Sequence, residues 1–576
     1  MYLQRNIIKN KNTGKEYYSV FLCSKYREGG KIKTRTEANL SHLPEAIVLG
    51  IENMLKSDKE TTICLKDISV NRCIDYGYFF VILHIIKQLR IDQVFNKTLS
   101  PADATLVLAM LIGKIITGGS KLCIFNWLCR ERAISELLGL DMSAHKVDHL
   151  YSSLGMLWMH QRKIEKKWFG YHQGNLRRIY LYDITSTYFE GTQNELAAYG
   201  YNRDGKRGKM QMCIGLLTTS DGFPLRIQAF AGNTSDSVTV PEQLRILKEE
   251  LGVEEIVFVG DRGMHILYHL ENDAELAEKN INFITGLTRT QIDTLIAQGS
   301  LQLNMFSKDL SEVSIDDKRY ILSVNPDLEK QEIAWLENHK KRCDDLLNEL
   351  NKKWANRCEK NEENRKKQEK SQGKGKYKKL KTELTTKDID DYKRRVEHII
   401  ESCTMSKYYS IETIDNQIFS VKFNQHEYDK SRSLCGKYVV CTNVCTKKMN
   451  AEQVRGEYKK LQNVEHAFRD LKSENISIRP VYHCNENQTR GHVLLCMFAY
   501  AIIKELENKL FPFLKEYNKT HKTQLAFNDM IAELNNVKMC ELKLGKGVTS
   551  IQYPQLNPLQ KKIFELLNID PKKMAL

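Results

Sequence analysis

The chain has 576 residues, of which 41% are hydrophobic and 28% are charged. This length and composition are typical of a soluble globular protein with about two to four domains. The formal net charge of +15 favours a polyanionic partner, nucleic acid before an anionic membrane surface.

Three features of the sequence argue against a membrane-spanning or secreted protein. The longest apolar run covers residues 106–116 and contains Gly113 and Lys114, so it is well short of a bilayer span. The N-terminus lacks the apolar segment of a signal peptide. The 15 cysteines include no CxxC pair, and an odd number without a secretion signal argues against a disulfide framework. We therefore expect a cytoplasmic protein with buried free thiols.

Residues 1–65 are predicted to form a small basic module. They contain two strand-like stretches, 15–26 and 31–41, followed by a helix predicted over 43–56. Two interpretations of the lysines and arginines in these strands stay open: they contact DNA, or they are exposed to solvent without a binding role.

Residues 66–175 follow a helical pattern and are predicted to form a helical subdomain. Ser100 supplies an N-cap, Pro101 the first helical position and Asp103 an acid in the first turn. DNA binding through a helix-turn-helix is one hypothesis for this subdomain.

Residues 176–289 are predicted to form the first part of a catalytic α/β domain. Three strands precede alternating helices and strands, which is typical of a mixed sheet. The predicted elements cover residues 177–190, 210–220, 223–233, 240–251, 254–264, 267–279 and 282–289. Asp183 ends one apolar run and Asp261 follows another, at strand ends where such folds usually place chemistry. For either aspartate alone, a turn or helix-cap role is the commoner explanation.

Residues 290–448 interrupt this pattern and are interpreted as an insertion domain. Their charge-dense middle, 335–395, has eight lysines between residues 366 and 381, which predicts helical flanks around a flexible loop. Strand-like runs follow at residues 408–414, 418–424 and 436–444. The catalytic domain is predicted to resume over 449–510, and 511–576 are predicted to form a mostly helical tail.

One helix-like stretch, residues 450–473, carries two charges where a core-packing helix would carry leucine. Its apolar residues recur at steps of three and four, which predicts an amphipathic helix, and Glu465 and Lys472 fall inside the arc of the apolar stripe. Tyr458, Glu465 and Lys472 are seven residues apart and so share one face. Taken alone, the stretch is also compatible with a surface helix in which Glu465 pairs with Arg469.

Asp183, Asp261 and Glu465 together suggest a metal site. Each is attached to an apolar element of one predicted sheet-and-helix domain. Three converging carboxylates repel one another unless a cation is present, and hard oxygen ligands suit Mg²⁺ or Mn²⁺. A pair of such ions can activate water and stabilise the leaving oxygen of a phosphoryl displacement, while a basic chain grips nucleic acid.

Several separated motifs resemble the DDE transposases of bacterial insertion sequences, in the IS-four-like group and its sixteen-thirty-four branch. In that group the first acid ends the first strand, as Asp183 does in YLYDITSTYFE, and the second closes the fourth strand, as Asp261 does in VFVGDRGM. The third lies on a later helix, as Glu465 does in VEHAFRDLK. The YGYNRDGKRGKMQMCIGLL, GFPLRIQAFAGNTSD, RPVYH and GHVLLCMFAYAI stretches match as well. The resemblance covers residues 177–510 and implies an RNase-H-like sheet with a large insertion domain before the last catalytic helix.

The resemblance also implies roles for residues near the third acid. The helix of that acid carries a Tyr-x2-Arg-x3-Glu-x6-Lys signature in the group, and its side chains contact the cleaved DNA end. Tyr458, Glu465 and Lys472 match the signature, whereas Leu461 stands at the arginine position. Arg469, one turn from Glu465, is a candidate substitute.

Four further residues are candidates for contact with DNA. Arg262 and His265 are predicted to contact phosphates or to support the acids. In this group an aromatic side chain of the insertion can stack on an extruded base. Trp335 and Trp354 are the tryptophans available in this chain, and core packing is the favoured interpretation of both.

The resemblance implies a DNA transposase that binds the terminal inverted repeats of its element. It would cleave DNA with water activated by two divalent cations, held by Asp183, Asp261 and Glu465, and join the freed 3′-hydroxyl to target DNA. Pairing of two DNA ends implies a homodimer, located in the bacterial cytoplasm and at the nucleoid during the reaction. Two alternatives stay open: a metal-dependent nuclease without strand transfer, and a catalytically silent DNA-binding derivative.

Overall fold

The computed structural model divides into two compact units, one formed by Met1–Ile82 with Lys509–Leu576 and the other by Leu83–Asn508. The structure describes residues 1–9, 16–56, 68–172, 179–273, 276, 281–307, 310–370, 385–415, 418–474, 476–544, 548–552 and 555–570. The centre of the predicted lysine-rich loop, residues 373–376, lies outside these described residues.

The chain begins with a three-stranded antiparallel sheet and one helix, of which the sequence predicts the second and third strands and the helix but not the first strand. The elements are β1 (Tyr2–Lys9), β2 (Glu16–Glu28), β3 (Lys31–Asn39) and α1 (Glu45–Lys56). The sheet order is β1-β2-β3. Gly29 and Gly30, with φ of 57° and 79°, form the tight turn between β2 and β3. Residues that carry a side chain rarely adopt a positive φ, so glycine at these two positions allows the tight turn of this hairpin.

A run of helices follows one further strand. These elements are β4 (Ile68–Asp75), α2 (Gly77–Gln88), α3 (Ile91–Asn96), α4 (Pro101–Thr117), α5 (Lys121–Arg130), α6 (Arg132–Leu137), α7 (Val147–Met159) and α8 (Gln161–His172). The predicted N-cap of α4 is confirmed, because the N–H of Asp103 donates to the Ser100 hydroxyl at 3.2 Å. No single helix among the described residues combines the length and hydropathy needed to cross a membrane. Within the same part of the chain, helices α4 and α5 meet this criterion when they are taken together, and they are bent by 96° relative to each other.

The large unit is built on a mixed eight-stranded sheet. Its strands are β5 (Ile179–Tyr188), β6 (Gln211–Thr219), β7 (Pro224–Ala231), β8 (Val257–Gly260), β9 (Asn282–Gly286), β10 (Leu310–Ile315), β11 (Lys318–Val324) and β14 (Lys437–Thr442). The order is β10-β11-β14-β9-β8-β5-β6-β7. The β5, β6 and β7 strands are antiparallel, and β8 and β9 run parallel to β5. The predicted mixed α/β sheet is therefore confirmed.

The remaining elements of this part of the chain lie around the sheet. They are α9 (Asp236–Arg245), α10 (Ile266–Asn272), α11 (Arg289–Ala297), α12 (Pro326–Lys370), α13 (Thr386–Ser402), β12 (Tyr409–Asp415), β13 (Ile418–Phe423), α14 (Gln425–Ser433), α15 (Ala451–Lys459), α16 (Leu461–Lys472) and α17 (Glu486–His521). Residues 290–448, predicted to form an insertion domain, thus contribute three strands to the central sheet. Strands β10, β11 and β14 extend it beyond β9, because β14 pairs antiparallel with β9.

The stretch 450–473, predicted as one helix, forms two. Helix α15 is capped by Asn450, whose side chain accepts the N–H of Gln453, and it ends at Lys459. Helix α16 begins at Leu461, with Lys460 between the two helices. Most of the predicted apolar stripe is buried across both helices, whereas Leu461 is only partly buried. The prediction of one continuous helix is therefore wrong for this stretch.

The C-terminal tail, predicted as mostly helical, contains a hairpin as well. Its elements are α18 (Phe527–Asn535), β15 (Lys538–Leu544), β16 (Val548–Gln552) and α19 (Pro558–Leu566). Strand β15 pairs with β16 on one side and with β4 on the other. Since the second partner is more than 460 residues away in sequence, no local pattern indicates this pairing.

The core of the large unit is centred on α17. Every side chain from residue 493 to residue 502 is at most 1% exposed. The Phe498 ring lies edge-on to Trp168 of α8 at 5.1 Å, and the Trp168 indole donates to the carbonyl of Pro224 in β7 at 3.0 Å. Helices of the preceding region and the sheet therefore share this core.

A buried lysine lies in this core beside a buried histidine. Lys121 Nζ is 3.0 Å from Nδ1 of His492, and the two residues are 1% and 4% exposed. Burial, with a further contribution from Lys114, lowers the pKa of Lys121 to about 7.

We predict that Lys121→Met stabilises the protein at pH 7 by about 1–3 kcal/mol, because it removes a buried cation. In the unfolded chain lysine has a pKa of about 10.4, so the unfolded state binds the extra proton between about pH 7 and pH 10. Raising the pH through this interval therefore stabilises the wild type, and the advantage of Lys121→Met should shrink.

Thermal unfolding of both proteins at pH 7 and about pH 9 measures this difference. Lys163→Met, on the exposed side of α8, is the matched control and should show no such pH dependence. If the difference in stability between Lys121→Met and the wild type stays constant with pH, the lowered pKa of Lys121 is contradicted.

Candidate active site

The parallel pairing of β5 with β8 brings two acids together. Tyr182 is opposite Gly260 in this register, so the next residues, Asp183 and Asp261, are neighbours where β8 ends. Asp183 was predicted to end its strand, but β5 continues to Tyr188. The acid therefore sits inside the sheet, paired with Leu216 of β6.

A cavity of about 610 Å³ opens at this point and contains all three predicted acids. Asp183, Asp261 and Glu465 line it, together with residues from the ends of β9 and β11, from β14, from the start of α12 and from α15 and α16. Acids separated by up to 282 positions in the sequence thus face one space. This meets the first requirement for a shared site.

The carboxyl of Asp183 is strongly perturbed by its surroundings. Burial, together with the nearby Asp261 carboxylate, raises its pKa to about 7, although a hydrogen bond from the backbone N–H of Ile184 and the charge of Arg203 oppose the shift. A bound cation would remove this repulsion, so Asp183 has the electrostatic character of a metal ligand.

Asp261 is exposed in the cavity and held by a tyrosine. It follows β8 and precedes a short 3₁₀ turn, Arg262–Met264. The Tyr458 hydroxyl donates to Oδ1 of Asp261 at 3.2 Å, and burial and this contact raise the pKa of the phenol. Gly286 permits the close approach of that ring, since a Cβ at this position would lie 2.3 Å from the Tyr458 oxygen.

Glu465 reaches the same cavity from α16, a helix that packs against β5. The carboxylate is exposed, and no ion pair with Arg469 exists among the described residues. The alternative in which Glu465 is half of a surface pair is therefore not the arrangement found.

The chemistry of the three acids fits a hard divalent cation, because all of their ligand atoms are carboxylate oxygens. Across the described residues, however, no three His, Cys, Asp or Glu side chains are gathered closely enough to hold an ion together. Binding of a cation would thus draw the carboxylates together from the positions found here.

The other residues predicted to contact DNA do not all line the cavity of the acids. Arg262 and Tyr458 line the cavity of the acids. His265, with φ of 48°, lines a neighbouring cavity of about 690 Å³ that also contains Arg203. Arg469 is exposed on α16 and lines neither cavity.

Lys472 lies in an internal ion-pair network and not in the cavity of the acids. Its Nζ donates to Oδ1 of Asp204 at 2.9 Å and to the Thr185 hydroxyl at 2.8 Å. Arg479 binds the same Asp204 oxygen at 2.6 Å. Burial lowers the pKa of Lys472, and Asp204 opposes the shift. These contacts give Lys472 a structural partner that the sequence spacing does not indicate.

Sequence reasoning missed several residues that line the cavity. Lys459 and Gln462 flank the break between α15 and α16, and Tyr438, Asn325 and Leu328 come from the predicted insertion. Only the adjacency of Lys459 to Tyr458 could have indicated one of them, because the others depend on the sheet order and on the helix break.

The two tryptophans of the predicted insertion differ in exposure. Trp335 is 48% exposed, with its ring stacked on His339 at 4.0 Å, so core packing is wrong for this residue. Trp354 is partly buried and stacks on Tyr392 at 4.3 Å.

The fold and the cavity define an α/β protein with one acid within a sheet strand, one just after the end of the neighbouring strand and one on a helix, all facing one cavity. Residues 174–502, more than half of the chain, match the family model described as transposase DDE domain. The chain therefore belongs to the transposase DDE domain family. Proteins of this family cleave and join DNA and generally use divalent metal ions.

Two solved structures show a slight likeness to the chain. One is piggyBac transposase in a synaptic complex with hairpin DNA, with 8% identity and a TM-score of 0.35 over 86% of this chain and 78% of that one. The other is Mos1 transposase in a paired-end complex with the left transposon end, with 11% identity and a TM-score of 0.13 over 29% and 58%. No curated protein matches the sequence. Both TM-scores are low, so the family assignment depends on the family model.

We predict that Gly286→Ala destabilises the protein by about 1–3 kcal/mol, because the added Cβ overpacks against the Tyr458 ring. Chemical denaturation measures the effect. In a Tyr458→Ala background the same substitution should cost much less, since the ring is gone. An equal cost in both backgrounds would show that the strain lies elsewhere.

We predict that Lys472→Met lowers the free energy of unfolding by about 2–3 kcal/mol, because it leaves Asp204 buried with one cation fewer. Lys459→Met, at an exposed position, is the control and should change stability by less than about 0.5 kcal/mol. Unchanged thermal stability of Lys472→Met would contradict the structural role.

Proposed function

We propose that the chain is the transposase of a bacterial insertion sequence, which binds the terminal inverted repeats, cleaves at the ends of its element and joins the 3′ ends to target DNA. The observation that carries the proposal is one cavity lined by Asp183, Asp261 and Glu465, within a matched transposase DDE domain. The strand order and the motifs support an RNase-H-like domain of the IS-four-like group, sixteen-thirty-four branch.

In this proposal, Asp183, Asp261 and Glu465 hold two divalent cations, Mg²⁺ or Mn²⁺. When bound, the ions supply activation of the attacking water and stabilisation of the leaving oxygen. Tyr458 orients Asp261 through the hydrogen bond to its Oδ1. Because the pKa of Asp183 is about 7, its carboxyl readily releases a proton near neutral pH as positive charge arrives.

Exposed cations near the acids suit the DNA backbone. Arg262 and Lys459 both line the cavity and can donate to phosphate oxygens. Arg469 and His265, exposed outside that cavity, are proposed to contact the backbone farther from the cleaved bond. For Lys472, the ion pair with Asp204 favours a structural role over direct contact.

The proposed reaction needs no external energy source. In cleavage, the water oxygen bonds to phosphorus and the P–O3′ bond breaks, which leaves a 3′-hydroxyl and a 5′-phosphate. In joining, that hydroxyl attacks a target phosphodiester, so one P–O bond replaces another. Two ends must be held together for joining, and we therefore propose a homodimer that acts at the nucleoid in the bacterial cytoplasm.

We predict that Asp183→Asn, Asp261→Asn and Glu465→Gln each lower cleavage by about a thousandfold or more, since each removes part of a metal-based stabilisation of several kcal/mol. Binding to the DNA end should stay within about threefold of the wild type. A labelled duplex carrying the inverted repeat beside the gene, incubated with Mg²⁺ and a target plasmid, reports both cleavage and joining.

Glu452→Gln is the matched control, because Glu452 is an exposed acid on α15 that does not line the cavity. It should retain cleavage. Cleavage by the wild type without a joined product would favour the nuclease alternative. Binding without cleavage would favour the silent derivative, and full activity of any cavity variant would remove that residue from the site.

A further inference from the structure

The N-terminal sheet has one face covered by α1. Residues paired directly across antiparallel strands share a face. Arg5 pairs with Val20, and its guanidinium binds Glu45 and Glu52 of α1 at 2.6 and 2.8 Å. Val20 and Val48 of α1 are 7% and 1% exposed. The face that contains Arg5 and Val20 is therefore the one under the helix.

The described acids of this module belong to the covered side. Glu45 and Glu52 lie on the helix itself. Glu28 pairs with Lys31, on the same face as Val20, and binds Lys33 at 2.7 Å. Glu37, at a β-bulge, accepts a hydrogen bond at 2.5 Å from Ser24, which also shares that face.

The opposite face is here called the open face. Its exposed residues include Gln4, Lys25, Arg27, Ile32 and Thr34. Tyr2 on the same face is half-buried, and its partner Cys23 is 1% exposed. Lys25 lies over the Tyr2 ring at 5.2 Å, and the Tyr2 and Thr34 hydroxyls are 3.4 Å apart. Among the described residues of this module, no carboxylate lies on the open face.

The dimensions and chemistry of the open face fit a DNA groove. Strands are about 4.8 Å apart, so three of them span about 10 Å, and the major groove is about 12 Å wide. Lysine and arginine can bind phosphates or guanine, and glutamine can bind adenine. Ile32, at 64%, is its single strongly exposed large apolar side chain among the described residues. That is too little apolar surface for a membrane or protein contact.

We propose that the open face docks in the major groove of double-stranded DNA at the element's ends and reads part of the inverted repeat. This rests on the proposed function, because it names the segment that recognises the DNA which that function requires. The structural reason for this choice of partner is that the acidic side chains lie on the covered side of the sheet, whereas Lys25 and Arg27 lie on the open face. Acids held on the covered side leave a face that a polyanion can approach without repulsion.

The test compares two charge-matched double variants of the full chain. Lys25→Ala with Arg27→Ala changes the open face on β2, and Lys33→Ala with Arg35→Ala changes the covered side on the adjacent strand β3. Binding to a duplex carrying the inverted repeat is measured by fluorescence anisotropy over a salt series, in EDTA so that catalysis plays no part. Circular dichroism confirms that both variants are folded.

The open-face variant should bind about tenfold or more weakly, with the salt slope reduced by about 2, one for each lost phosphate contact. The covered-side variant should stay within about threefold of the wild type. Gln4→Ala should weaken binding to the repeat about tenfold and leave binding to a scrambled duplex unchanged.

Two results would overturn the inference while leaving the proposed function intact: equal losses in the two double variants, or wild-type affinity of the open-face variant. Loss of binding by Gln4→Ala to both duplexes alike would overturn the sequence-reading part. A wild-type protein that binds neither duplex would overturn this inference and the proposed function together.

Discussion

The register between β5 and β8 is the constraint on which the candidate site depends. It makes Asp183 and Asp261 neighbours although their mutual repulsion and the burial of Asp183 oppose this arrangement. The chain tolerates the conflict because Tyr182, next to Asp183, and Phe258, on β8, are 1% and 0% exposed in the core. Core packing sets the strand positions, and the acids follow. Such unfavourable juxtapositions concentrate at functional sites, where a ligand relieves them.

The third acid reaches the site from the pair of helices α15 and α16, which meet at Lys460. On α15, the Tyr458 hydroxyl donates to Asp261 beside Gly286, which has no side chain, and on α16, which packs against β5, Glu465 lines the same cavity. The two residues therefore face one space, as their seven-residue spacing predicts, although the helix is interrupted between them.

The cations of this chain fall into two groups with different physical roles. Lys121, Lys472 and Arg226 are enclosed by protein partners; Arg226, for example, binds Glu165 in the core. Lys25 and Arg27 instead stand exposed on the acid-free side of a sheet. The net charge of +15 counts both groups alike, but only exposed cations without carboxylate partners can attract a polyanion.

The sequence by itself determined strands β5 to β9, the Ser100 cap and the three acids as candidates, because these depend on alternation, apolar runs and residue type within a few positions. Only the tertiary structure decided the break at Lys460, the partner of Lys472, the exposure of Trp335 and the pairing of β15 with β4. Residues 459–461 include neither glycine nor proline, so no local signal marks the break. These features arise from contacts between segments far apart in the chain, whose energies a local pattern does not record.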